Sequence, residues 1–271
     1  MDVRGIDFSG AAEPGEDIWI TEGRLDGATL EITSCRSAAD RFAVRGREAV
    51  LSSLVDLLGD VTGTTGVDVS FGLPAALLPD GMADWPDATR WFAETFAGAD
   101  APAMREELKG RGRASDESGV ELKRRTDEAV SANSPYSFIT YYQTLHGIRD
   151  VLAPLVAEET VRVPPIQSPG THNVIETYPA GTLRRLRTVD GRYKESGEKA
   201  VERRAEILRV LESDRGDIAV SLDETTREVA LQAPGADALD SIIAAAATAR
   251  AVAIDFETDH DYLACEGYIY V

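Results

Sequence analysis

Asp7 and Asp68 are the residues whose setting most plainly calls for chemistry. Residues 3–10, V-R-G-I-D-F-S-G, have the length and β-branched content of a buried strand, yet they carry a carboxylate in the middle. Such a group is costly in a strand covered on both faces unless a cation or hydrogen-bond donors compensate it. Residues 66–72, G-V-D-V-S-F-G, repeat residues 5–10 almost position for position, which weighs against the plainer reading of an edge strand whose Asp faces water. Strand side chains alternate, so Gly5, Asp7 and Ser9 share one face, as do Gly66, Asp68 and Ser70. Side by side and parallel, the two strands would bring two carboxylates together over small residues that leave room above the sheet, a candidate metal site.

Three further acids join this pair. Glu176 lies within the short strand predicted over 173–178, N-V-I-E-T-Y. Asp237 and Asp240 stand three apart in the first turns of an Ala-rich helix predicted over 236–253, so they lie on one face. Compensation of the helix dipole, with Asp237 as a cap, is the competing explanation for that last pair. Hard oxygen donors without placed His or Cys suit Mg²⁺ or Mn²⁺ rather than zinc. Two such ions about 4 Å apart activate water and stabilise a leaving oxygen in phosphodiester hydrolysis. Asp7 and one of Asp237 or Asp240 would bridge the ions, and Asp68 and Glu176 would complete the shell. Among the three histidines, His146 and His260 stand apart from these stretches, while His172 precedes the Glu176 strand and is a candidate proton shuttle.

The elements that must position these acids follow from periodicity. Strands are predicted over 18–25 and 28–36 across Asp26-Gly27, a meander with the opening strand. A helix over 48–58 stops at Gly59 and leads to the second acidic strand, which returns parallel to the first. Helices are expected over 85–96, 104–109, 126–132 and 136–156; in the last, Phe138, Tyr141, Tyr142, Leu145 and Ile148 recur at helical spacing and read as a packing stripe. Residues 73–170 thus form a helical insertion or cap within a single domain spanning 1–271. A charged helix over 195–211 follows, then one ending at Gln232 with Ser221-Leu222-Asp223-Glu224 in the form of a capping box. The tail, 264–271, offers a last strand.

Composition narrows the classes of function. A chain of 271 residues with 43% hydrophobic content buries a sizeable core. Forty-seven acids face 28 bases, of which only Lys109, Lys123, Lys194 and Lys199 are lysines. That balance reads as adaptation to a salt-filled cytoplasm, where screening over about 3 Å at 1 M makes self-repulsion tolerable. No basic footprint for nucleic acid stands out. Cys35 and Cys265 fit a reducing compartment; no signal-peptide pattern opens the chain, and the apolar run 242–254 is interrupted by Arg250. A soluble cytoplasmic protein without a membrane partner is expected, its oligomeric state left open.

The motifs G-I-D-F-S-G-A at 5–11, G-V-D-V-S-F-G-L-P at 66–74, R-R-T-D at 124–127, I-E-T-Y-P-A-G at 175–181, D-A-L-D at 237–240 and E-G-Y-I at 266–269 resemble those of the domain-of-unknown-function family numbered 429, classed as predicted nucleases of ribonuclease H-like fold. The resemblance implies an α/β fold with a mixed five-stranded sheet, three antiparallel strands first, and a Mg²⁺- or Mn²⁺-dependent nuclease. It places the first acid on Asp7, another on Asp68 or Glu176, and the last on Asp237 or Asp240. The long insertion departs from an ordinary ribonuclease H. Two other readings share the fold: a scaffold that has lost catalysis, and an actin-like or sugar-kinase phosphotransferase using residues 7–10 and 68–72 as phosphate loops. The latter needs two full halves, more than 271 residues accommodate.

Overall fold

Two strand glycines decide how the centre of this protein is built. The computed structural model describes residues 1–213 and 215–271. In it β1 (Asp2–Asp7), β2 (Trp19–Asp26), β3 (Thr29–Ser37), β4 (Gly63–Asp68), β5 (His172–Thr177), β6 (Ala219–Ser221) and β7 (Ile269–Tyr270) form one sheet in the order β6-β3-β2-β1-β4-β5-β7. β1, β2 and β3 are the predicted antiparallel meander, turning at Gly27 with φ +55°. β4 and β5 then add parallel to β1. The five strands expected become seven because β6 pairs with β3 and β7 with β5. Three and two residues long, these edge strands are too short to show alternation in sequence.

Helices cover both faces. α1 (Ala38–Phe42) and α2 (Arg47–Asp60) link β3 to β4. α3 (Trp85–Thr95), α4 (Ala101–Ala114), α5 (Arg125–Val130), α6 (Tyr141–His146) and α7 (Ala153–Ala157) lie between β4 and β5, with a π-helical turn, Gly147–Leu152, joining the last two. Most of these pack with α2 on the face that carries Ile6 and Val67. After β5 come α8 (Pro179–Arg185), α9 (Glu198–Leu211), α10 (Glu224–Gln232) and α11 (Asp237–Ala253); α9, α10 and α11 close the other face around Val3 and Leu30. No helix among the described residues is long and apolar enough to cross a membrane.

Several boundaries move for local reasons. Asp100 caps α4 by accepting the Ala103 N–H, so the helix starts early and runs through Gly110 and Gly112. The helix expected from residue 136 begins only at Tyr141, because the Thr140 hydroxyl donates to the Ser134 carbonyl and ties the preceding residues into a turn. α10 is capped by Asp223, whose carboxylate accepts the Thr226 N–H, rather than by Ser221.

The room expected above Asp7 and Asp68 is partly filled by helix backbone. A Cβ on Gly5 would fall 2.1 Å from Ala245 N and 2.2 Å from Ser241 O, and one on Gly66 would fall 2.0 Å from Thr248 Oγ1. Glycine at both positions lets α11 lie directly on the sheet, and the buried Ala244, Ala245 and Ala247 keep the approach close. Gly5→Ala is therefore expected to push α11 outward and to cost about 1–3 kcal/mol or more. Urea unfolding checks this, and an alanine variant as stable as the parent would show that the helix shifts freely.

Candidate active site

β1, β4 and β5 run parallel and end together, and a cleft of about 870 Å³ opens beyond their carboxyl ends. Ligands bind at that edge in open α/β sheets. Asp7 is the register partner of Asp68 on the neighbouring strand, which places their Cα atoms about 5 Å apart. Each stands two residues beyond a glycine that touches α11, so both carboxylates point to the α11 side at the mouth of the cleft. α11 runs back along the sheet from this end, and its first turn brings Asp237 to the cleft and buries Asp240 completely. Asp237 is not the cap: Ala236 holds that position at φ +67°, with no side-chain capping bond.

Four of the five predicted acids thus converge, and the protonation of Asp7, Asp68 and Asp237 reflects it. Burial, then the charges of Asp240 and Asp68, push Asp7 well above the usual carboxylate range. Burial raises Asp68 to about 7 against the pull of Lys194, and raises Asp237 to about 6. The compensating charge comes from the loop between α8 and α9. Lys194 keeps 55% of its side chain exposed yet sets its ammonium against Asp240 Oδ2. Burial alone would lower the lysine, but Asp240 and Asp7 outweigh it and hold the ammonium charged. The neighbouring Tyr193 hydroxyl donates to Asp240 Oδ1 at 2.8 Å. Arg204 fixes this loop by donating to the carbonyls of Tyr193 and Glu195.

Glu176 lies in the wall of the same cleft, and its carboxylate is held by an arginine. Arg124 donates to both its carboxylate oxygens, at 2.6 and 2.7 Å, and the Phe71 N–H adds a bond of 3.0 Å. Arg124 is itself wholly buried, forks onto Asp127 at 2.7 and 3.0 Å, and donates to the Glu266 carbonyl. The Glu266 carboxylate accepts the N–H groups of Ala75 and Arg125. The six motifs therefore divide in two. Those at 5–11, 66–74 and 237–240 deliver the convergent aspartates. Those at 124–127, 175–181 and 266–269 build an ion-pair hub in the wall of the same cleft.

The histidines are not at the aspartates. His172 opens β5 opposite Gly63, the far end of the strands from Asp7 and Asp68, which removes it as a proton shuttle there. His146 pairs with Asp150 at 2.7 Å, and His260 with Thr126 at 2.9 Å. Sequence reasoning missed Lys194, Tyr193 and the partner of Glu176. Lys194 lies in a loop without periodicity, and its only signal is being one of four lysines in the chain. The predicted packing stripe is also corrected in part: Phe138 is 76% and Tyr142 41% exposed, as is Ile139 outside the stripe at 73%, and Ile139 and Tyr142 line the same cleft.

Among the described residues, no three His, Cys, Asp or Glu side chains stand close enough to enclose a metal ion as they lie. The donor set nevertheless suits a hard divalent cation, since crowded buried carboxylates with raised proton affinity are short of positive charge. Asp7, Asp68, Asp237 and Asp240 would hold it, with Lys194 yielding its place against Asp240; Glu176 lines the same cleft but shares its oxygens with Arg124 and the Phe71 N–H.

Fold and cleft define a mixed α/β protein with an acidic site at the carboxyl ends of its parallel strands. A family model described as a protein of unknown function, DUF429, matches residues 25–256, and the chain belongs to that family. No curated protein and no solved structure matches it.

Proposed function

We propose that the cleft is the active site of a divalent-cation-dependent phosphodiesterase that acts on nucleic acid. The observation that carries this reading is the convergence of Asp7, Asp68, Asp237 and Asp240 from three separate elements on one edge of the sheet. The strand order β3-β2-β1-β4-β5, three antiparallel strands followed by parallel ones, supports a ribonuclease H-like core extended by β6 and β7. Bound Mg²⁺ or Mn²⁺ would supply a more acidic water and charge stabilisation at the phosphoryl oxygens. The aspartates would place that charge, and Tyr193 would orient Asp240 by its hydroxyl bond. The reading is tested by incubating labelled DNA, RNA and hybrids in high KCl with Mg²⁺, Mn²⁺ or EDTA. Cleavage with either cation and none in EDTA is expected; no cleavage of any substrate with either cation sinks it.

One observation favours the alternative of a non-catalytic scaffold: Lys194 already gives Asp240 a cation. The effect of Mn²⁺ on stability at high pH separates the two. Asp68 titrates near 7 when folded and near 3.8 when unfolded, so its stabilising contribution is present below the unfolded value and lost as pH rises through the folded one. Without divalent ions the protein is therefore expected to lose stability between about pH 4 and 7, Asp7 acting in the same direction. At pH 8, millimolar Mn²⁺ should restore it, by about 2.7 kcal/mol at a hundredfold excess over Kd. A scaffold whose only cation is Lys194 would show no rise in Tm with Mn²⁺.

A further inference from the structure

We propose that Phe138, Ile139 and Tyr142 form a stacking platform for unpaired bases of a single-stranded nucleic acid whose backbone enters the acidic cleft. This names the substrate class of that site and rests on its phosphodiesterase reading. Among the described residues, these three and Met1 are the exposed large hydrophobic side chains. Three such groups side by side on one rim are a feature that packing does not explain.

The rim is built rather than loose. Tyr142 and Gln143 sit against Gly10, where a Cβ would fall 2.5 Å from the Tyr142 carbonyl carbon. The Gln143 amide donates to the Phe8 carbonyl, next to Asp7. The turn before α6 is closed by Ser137 and Thr140, whose hydroxyls lie 2.9 Å apart. Arg105 lies 5.8 Å from the Phe138 ring centroid and 5.5 Å from that of Tyr141, and cation–π contacts of this kind hold aromatic rings in place. Ile139 and Tyr142 also line the cleft that contains Asp7 and Asp68, so a chain reaching the aspartates passes over them.

Chemistry then selects the occupant. Every nucleobase has a π-face that stacks on an aromatic side chain, but a duplex keeps those faces covered. The protein carries a net charge of −19, and of the cations lining the cleft Arg124 is consumed by its ion pairs. A ligand held by a long row of phosphate contacts does not fit this surface; one held by its bases does. Binding should accordingly depend only weakly on salt, with a slope of log K against log[salt] no steeper than that for about two phosphates, roughly −1.4.

The test is fluorescence anisotropy of a labelled oligothymidylate, alone and annealed to its complement, binding the full chain in EDTA and in Ca²⁺ across a KCl series. The single strand is expected to bind better than the duplex, with the shallow slope. The double substitution F138A/Y142A should weaken it roughly tenfold or more without lowering Tm, and Phe138→Trp should retain binding. Unchanged binding in the double variant, equal affinity for duplex, a steep slope or no strand binding in either buffer overturns the platform. So does a concentration-dependent dimer abolished by the same substitutions, which would make the rim a contact between copies. Ridge-dependent binding without cleavage in Mg²⁺ or Mn²⁺ would remove the phosphodiesterase and leave the platform; cleavage independent of the ridge would do the reverse.

Discussion

Asp7→Asn is expected to abolish phosphodiester cleavage and divalent-ion binding while making the ion-free protein more stable at pH 8. Asp7 stands opposite Asp68 in register, and its carboxylate feels both Asp240 and Asp68 at close quarters. Asn keeps the shape and removes one negative charge. If a bound cation contributes several kcal/mol to transition-state stabilisation, its loss lowers the rate on the order of 10³-fold, since each 1.36 kcal/mol is tenfold. The stability effect has the opposite sign. The ionised Asp7 of the folded protein is disfavoured by burial and by like charges, so neutralising it relieves a cost present at pH 8 and absent near pH 3. A gain of 1 kcal/mol corresponds to about 2–4 °C in Tm for a chain of this size class. Cleavage assays, isothermal titration with Mn²⁺ and thermal melts at pH 8 in EDTA measure the three quantities. Undiminished cleavage would take Asp7 out of the chemistry, and a lowered Tm would show that its charge is compensated in the folded state.

Arg124→Met carries the largest expected loss of stability. The guanidinium is wholly buried and serves Asp127, Glu176 and the Glu266 carbonyl together. Removing it strands two carboxylates in the interior, and breaking a buried pair in this way costs about 3–5 kcal/mol. Arg124→Lys should recover only part, because an ammonium cannot reproduce the bidentate fork. Adding Glu176→Gln and Asp127→Asn to the methionine variant should recover more, since the harm lies in uncompensated charge. Urea unfolding of the set decides it; a methionine variant within 1 kcal/mol of the parent, a loss typical of an ordinary substitution, would mean that water reaches the hub and solvates the acids.

The sequence exposes what is local and hides what is long-range. The Asp7 and Asp68 stretches were legible because a carboxylate in a strand is anomalous on its own, and the anomaly recurs. The start of α11 was legible because an Ala run can only be a close-packed helix. Glu176 is equally visible, but its arginine is not: Arg124 lies 52 residues away, and no periodicity links the two. Lys194 sits in an irregular loop, where spacing carries no information. The aromatic rim was misjudged because helical spacing was extended back to Phe138, before α6 begins at Tyr141. Spacing also says which residues share a face, not whether anything covers it.

The π-helical turn at Gly147–Leu152 has a consequence for that rim. Each residue of an α-helix advances the chain by about 100°, and a π turn absorbs one surplus residue. The turn therefore preserves the phase between α6, which presents Tyr142 and Gln143 beside Gly10, and α7, which buries Leu155 in the core, despite the extra residue between them. Deleting a single residue here would close the turn into ordinary α-helix and leave the two halves facing as they do, whereas an added residue taken up as ordinary α-helix would turn one half against the other by about 100°. The direction in which the rim looks is thus kept by the turn that takes up the extra residue, and an added residue would re-aim it where a change of side chain would not.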